Sequence, residues 1–183
     1  MHLSVRQITL SGMLGAIAIV LAVTRIGFIP TPTGVAATIM HVPAILGAVL
    51  EGPVVGLLAG AVFGIFSFLQ SPGFFADPLI SIVPRLCIGL AAYYTFRWTR
   101  STVAAAAAGT LTNTVGVLGL AVLRGYLPAK AAGVIALTHG LPELVLAVVL
   151  VGALARALSG RLGFSQLGWA AMNPVKAGHR AVQ

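Results

Sequence analysis

Long apolar runs separated by brief polar or turn-rich breaks organise this chain, at residues 8–27, 36–50, 53–69, 78–96, 102–123 and 139–158. A run of about 20 apolar residues is long enough to cross ~30 Å of hydrocarbon as a helix. The pattern therefore predicts an all-α membrane protein with six transmembrane helices. The second run is short and carries Pro43, and the fourth contains Pro84 and Arg85. The fifth opens on a polyalanine stretch and holds Thr112, Asn113 and Thr114 at mid-depth. Glu51-Gly52-Pro53 reads as a tight turn, with Pro53 suited to the first turn of the next helix. Residues 124–138 are ambiguous, with Pro128 and Lys130 marking an exposed turn. The expected organisation is a six-helix transmembrane domain over 1–158 and a cytoplasmic or interfacial tail over 159–183.

Composition fixes the solvent. Hydrophobic residues make up 58% of the chain and charged residues 8%, and the mean hydropathy is +1.04. Soluble domains carry about 25% charged residues, so the medium facing this surface is lipid. A net charge of +8 in a soluble protein would point to nucleic acid. Here the basic residues stand at the ends of the apolar runs, as a topology signal does. With six spans, one side collects Arg6, Arg97, Arg100, Arg156, Arg161, Lys176 and Arg180, and the other Arg25, Arg124 and Lys130. That asymmetry puts both termini in the cytoplasm of a multi-pass protein of the cell membrane. A single cysteine, Cys87, excludes an internal disulfide.

Polar groups at membrane depth are functional hypotheses by default. Between the first two runs, Ile29–Pro53 packs Pro30, Pro32, Gly34, Thr31, Thr33 and Thr38 into a turn-rich segment, read as the mouth of a ligand cavity. Arg85 lies seven residues down its helix, about 10 Å at 1.5 Å per residue. His139 and Glu143 are one turn apart on one face, His41 opens the second run, and Asn113 sits near mid-membrane. Arg85, Asn113, His139, Glu143, His41, Thr33 and Thr38 are thus the candidate substrate-binding residues. Arg85 and Glu143 also admit a purely structural ion pair, and Asn113 a bond to a neighbouring helix. The histidines are read as hydrogen-bonding wall residues rather than metal ligands. A second feature is the small-residue stripe Ser11, Gly15, Ala18 and Ala22, spaced to share one face of the first helix. It suits either close packing within the chain or docking of a membrane partner.

Several chemistries lack their residues. There is no Gly-rich phosphate loop followed by Lys-Ser/Thr and no G-x-S-x-G or H-E-x-x-H. A phosphotransferase built on an aspartate cluster is also disfavoured, since Asp77 stands alone. The glycine-containing motif of amino-terminal cobalt and nickel chelators is missing after Met1-His2. No enzyme activity, metal or cofactor is expected.

Six spans in under 190 residues, A-x-x-x-A at Ala18 and Ala22, and the run TPTGVAATIMHVPAILGAVLEGPVVGLLAG form a recognisable set. With DPLISIVPRLCIG, LTNTV and THGLPELVLA, the chain resembles the substrate-binding S component of energy-coupling factor (ECF) vitamin transporters over residues 5–158. The resemblance implies a high-affinity vitamin-binding subunit. Its partners would be a transmembrane coupling subunit and two ATPase subunits, and it would topple in the bilayer to release its vitamin. It implies docking through Ala18 and Ala22 and a lid over Pro30–Thr38. Ligand identity does not follow from it. Arg85 with Asn113 and His139 suits a small carboxylate vitamin such as pantothenate; cobalamin held by Cys87 or a histidine is the alternative. An S component acting alone, a self-sufficient carrier or channel, and a membrane scaffold also stay open.

Overall fold

The computed structural model describes residues 4–30, 36–70 and 73–159. It is a helical membrane bundle. Helix α1 (Val5–Val23) is started by a capping box, in which Ser4 Oγ accepts from the Gln7 amide and Gln7 returns the bond to the Ser4 amide. Strands β1 (Phe28–Pro30) and β2 (Ala36–Thr38) pair antiparallel, with Phe28 opposite Thr38. Helix α2 (Val42–Glu51) leads through Gly52 into α3 (Pro53–Gln70). A 3-10 turn (Gly73–Ala76) precedes α4 (Pro78–Thr99), which is followed by α5 (Thr102–Leu123). Helix α6 (Ala129–Ile135), a π turn (Ala136–Gly140) and α7 (Leu141–Ser159) run on as one rod.

Five helical segments are long and apolar enough to span a bilayer: 5–23, 53–70, 78–99, 102–123 and 129–158. The sixth apolar run, α2, has 10 residues, about 15 Å or half a bilayer. Here the expected span over 36–50 is corrected. Residues 36–38 form β2 instead, and the helix begins only at Val42, with Pro43 in its first turn, where a missing amide costs nothing. All ten α2 residues are buried, as expected for a helix that is apolar all round. Ile45, Ala48 and Val49 pack with Ala59, Ile88, Ala92, Ala105, Ala106, Ala147 and Val151. The polyalanine start of α5 thus supplies the small side chains that let α5 close on this central rod.

The last span also begins earlier than the sequence pattern indicates. The turn at 124–128 ends at Pro128, the N-cap of α6, and the helix then runs through 129–159. His139 therefore lies inside a π turn rather than at a helix start.

Glycines set the α3–α4 distance. A methyl on Gly60 would strike the Arg85 carbonyl oxygen, and one on Gly89 would strike the Gly56 backbone. The stripe on α1 does comparable work against α3. Ser11, Gly15 and Ala18 are buried, and a Cβ on Gly15 would lie 2.8 Å from Val62 Cγ1. Ala22 is half-buried. Of the two uses expected for this stripe, the chain itself fills the face by packing, so these residues offer little surface to a partner. At the ends of the bundle, Arg6 pairs with Glu51, and Arg124 with Asp77 at 2.8 Å.

Candidate functional site

The ribbon end of the bundle is where β1, β2, the 3-10 turn and the 124–128 turn gather. Since α2 fills only half a bilayer, the residues ahead of it, Thr38 and His41, sit within the bundle and not above it. An open strand edge at that depth needs partners from the protein. Glu143 supplies one: its Oε1 accepts from the Thr38 amide at 2.8 Å and from the Thr38 hydroxyl at 2.7 Å. Both residues belong to the expected set, and the structure joins them directly as a latch between ribbon and α7.

His41 is fully buried, and its Nε2 lies 3.0 Å from Thr110 Oγ1. Thr110 shares a face of α5 with Asn113 and Thr114, at steps of three and four. A Cβ added to Gly140 would lie 3.2 Å from Thr114 Cγ2, so the π turn holding His139 packs against the same part of α5. Thr110 and Thr114 are additions to the expected set. Their signal in the sequence was the T-x-x-N-T spacing on one helical face.

Arg85 is held differently. It is buried, its Nη1 donates to the Ile80 carbonyl at 2.8 Å, and its guanidinium lies 5.4 Å from the Phe63 ring centroid and 5.1 Å from that of Phe75. The Ser81 hydroxyl donates to the Phe75 carbonyl and so fixes the turn that carries the ring. Arg85 is within electrostatic reach of His41 and Glu143. Among the described residues, no direct ion pair joins it to Glu143, whose Oε1 is engaged by Thr38. No hydrogen bond joins Arg85 to Asn113 or His139 among the described residues. Thr33 lies outside the described residues, as does most of the expected lid.

Among the described residues, five buried side-chain atoms have no partner within the chain: His41 Nδ1, Arg85 Nε, Asn113 Oδ1, Thr114 Oγ1 and His139 Nδ1. Buried polar atoms are rarely left unmatched, and an apolar surround raises the cost. The five come from the N-cap of α2, from α4, from α5 and from the π turn, and they leave polar atoms without partners in the interior of the bundle. A separate open groove of about 640 Å³ lies at the ribbon end of α4, beside Asp77, Leu79, Val83, Arg124 and Tyr126. None of the five unmatched residues lines that groove.

At the groove, Asp77 caps α4 through its bond from the Leu79 amide, 2.9 Å long. Burial pushes the Asp77 carboxyl up, but the Leu79 amide and the Arg124 guanidinium more than offset this and hold it below its ordinary value.

The fold defines a helical membrane protein with several segments of bilayer-spanning length and unmatched polar groups in its interior. Its family is specific: residues 6–155 match the model of the ECF transporter substrate-specific component. The chain belongs to that family and is a multi-pass integral protein of the cell membrane. It is 29% identical to the pantothenic acid transporter PanT of Lactococcus lactis subsp. cremoris (strain MG1363), over 70% of this chain and 80% of that protein.

Proposed function

We propose that this chain binds pantothenate for an ATP-driven ECF importer, with Arg85 taking the vitamin's carboxylate. The observation that carries the proposal is the state of Arg85. Its guanidinium is buried against Ile80, Phe63 and Phe75, none of which neutralises it. The nearby carboxylate of Glu143 is committed to Thr38. A buried cation without a contacting counter-ion is costly, and a ligand carboxylate would meet it with charge-assisted bonds. Pantothenate also carries an amide and two hydroxyls, which suit the unmatched groups of His41, Asn113, Thr114 and His139. The similarity to PanT points to the same vitamin.

In this reading the chain hydrolyses nothing itself. A transmembrane coupling subunit and two ATPase subunits supply the energy, and both termini lie in the cytoplasm, following the basic-residue asymmetry. The partner would meet α1 on its exposed face, where Gly12 and Ala16 lie beside Met13 and Ile17, because Ser11, Gly15 and Ala18 are already buried within the bundle. The ribbon would act as a lid over the ligand.

Calorimetry on the purified protein tests the binding reading. Pantothenate should bind tightly, and Arg85→Ala should weaken it by about tenfold or more, the loss of at least one charge-assisted bond. Wild-type protein that binds no pantothenate would overturn the assignment. Uptake into vesicles should additionally require the coupling module and ATP.

A further inference from the structure

Pro84 stands immediately before Arg85, inside α4. In a regular helix the amide of residue 84 would donate to the carbonyl of residue 80. Proline has no amide hydrogen, so the Ile80 carbonyl is left without its helical donor. At membrane depth such a carbonyl needs another partner. The partner is Arg85 Nη1, at 2.8 Å. The arginine side chain reaches back toward the start of its own helix, the direction in which helical Cα–Cβ bonds already lean. That reach brings the guanidinium beside Phe63 and Phe75 and leaves Nε unmatched.

We infer that Pro84 is a positioning residue for ligand recognition. By withholding its own amide hydrogen, it reserves the Ile80 carbonyl as an anchor for Arg85 and so orients the rest of the guanidinium toward a carboxylate. The inference rests on the reading of Arg85 as the carboxylate contact. The competing account makes Pro84 a kink that merely packs on α5, where a Cβ on Gly116 would lie 3.0 Å from Pro84 Cβ. The two accounts differ in what an amide restored at position 84 does. If Pro84 only shapes the helix, its replacement disturbs packing and leaves ligand preference alone. If it reserves the anchor, the new amide takes the Ile80 carbonyl and the guanidinium is released.

The test compares wild type, Pro84→Ala, Pro84→Val and Arg85→Ala, the valine retaining more of the proline's bulk. Each is titrated with pantothenate and with the analogue whose carboxylate is reduced to an alcohol. Wild type should prefer the acid by on the order of 10- to 150-fold, the worth of a hydrogen bond to a charged group. Both Pro84 variants should melt no lower than wild type, since a regular helical bond is restored. Their preference should fall to within a few-fold of that of Arg85→Ala. Full retention of the preference would overturn the inference, as would failure of both Pro84 variants to fold while Arg85→Ala folds. NMR of the Arg85 side chain supplies a readout that needs no ligand. Its Nη1 protons should be distinct in wild type and averaged by rotation in Pro84→Ala, and averaging already present in wild type would overturn the anchor. If wild type binds neither compound, the vitamin assignment fails, and this NMR comparison still decides the role of Pro84.

Discussion

Removing Glu143 should loosen the ribbon more than it destabilises the bundle. Glu143→Ala deletes an acceptor that holds both the amide and the hydroxyl of Thr38. Hydrogen bonds to a charged group are worth about 1.5–3 kcal/mol each, but burying the carboxylate has its own cost. We therefore expect a net loss of about 2–4 kcal/mol against local opening of the ribbon. Global unfolding should fall by less, because hydrogen bonds inside membrane proteins average about 0.6 kcal/mol when the unfolded chain can find other partners. Hydrogen exchange at the Thr38 amide, in nanodiscs, reads the local quantity directly. A loss of about 2 kcal/mol corresponds to roughly 30-fold faster exchange. Glu143→Gln keeps the acceptor oxygen and should give a smaller acceleration. Thr38→Val removes the hydroxyl alone and should be strongly non-additive with Glu143→Ala. Exchange within about threefold of wild type in Glu143→Ala would refute the latch, since a bond of the stated worth would have to show there.

Two more outcomes follow from other parts of the molecule. Deleting Gly140 should convert the π turn to regular helix and turn the segment before it, His139 included, by one residue, about 100°. His139 would then leave α5, and pantothenate affinity should drop at least tenfold with helical content unchanged in circular dichroism. Normal binding by this variant would show that the bulge does not aim His139. The Asp77 carboxyl is held below its ordinary value of 3.8, so its stabilisation is present above that value and lost as pH falls through the lower folded one. Thermal unfolding followed from about pH 5 to pH 3 should show this loss in wild type and not in Asp77→Asn.

Helix placement was legible because lipid imposes a simple rule on long apolar runs, and α3, α4 and α5 lie close to where that rule puts them. The rule fails at 36–50 and 124–138, where turn chemistry and tertiary contacts compete with hydropathy. Ala36–Thr38 is apolar enough to continue a helix, yet it pairs with Phe28–Pro30 and is latched by a glutamate more than 100 positions away. Pattern reading marks Arg85, His41, Asn113, His139 and Glu143 as polar groups at depth. It does not reveal that Glu143 belongs to Thr38, because partner choice depends on how far the ribbon enters the bundle. Phe63 and Phe75 look like ordinary apolar residues until the fold brings both rings to Arg85. The stripe of Ser11, Gly15 and Ala18 illustrates a limit of spacing arguments: small residues on one face announce close approach, but not by whom.

The most direct measurement is mass spectrometry of the small molecule released when protein purified from membranes is denatured. Wild type should release pantothenate in near-stoichiometric amount, and Arg85→Ala protein that still folds should release none. A released molecule without a carboxylate, or equal retention of pantothenate by the Arg85→Ala variant, would contradict the assignment of Arg85 as the vitamin's anchor.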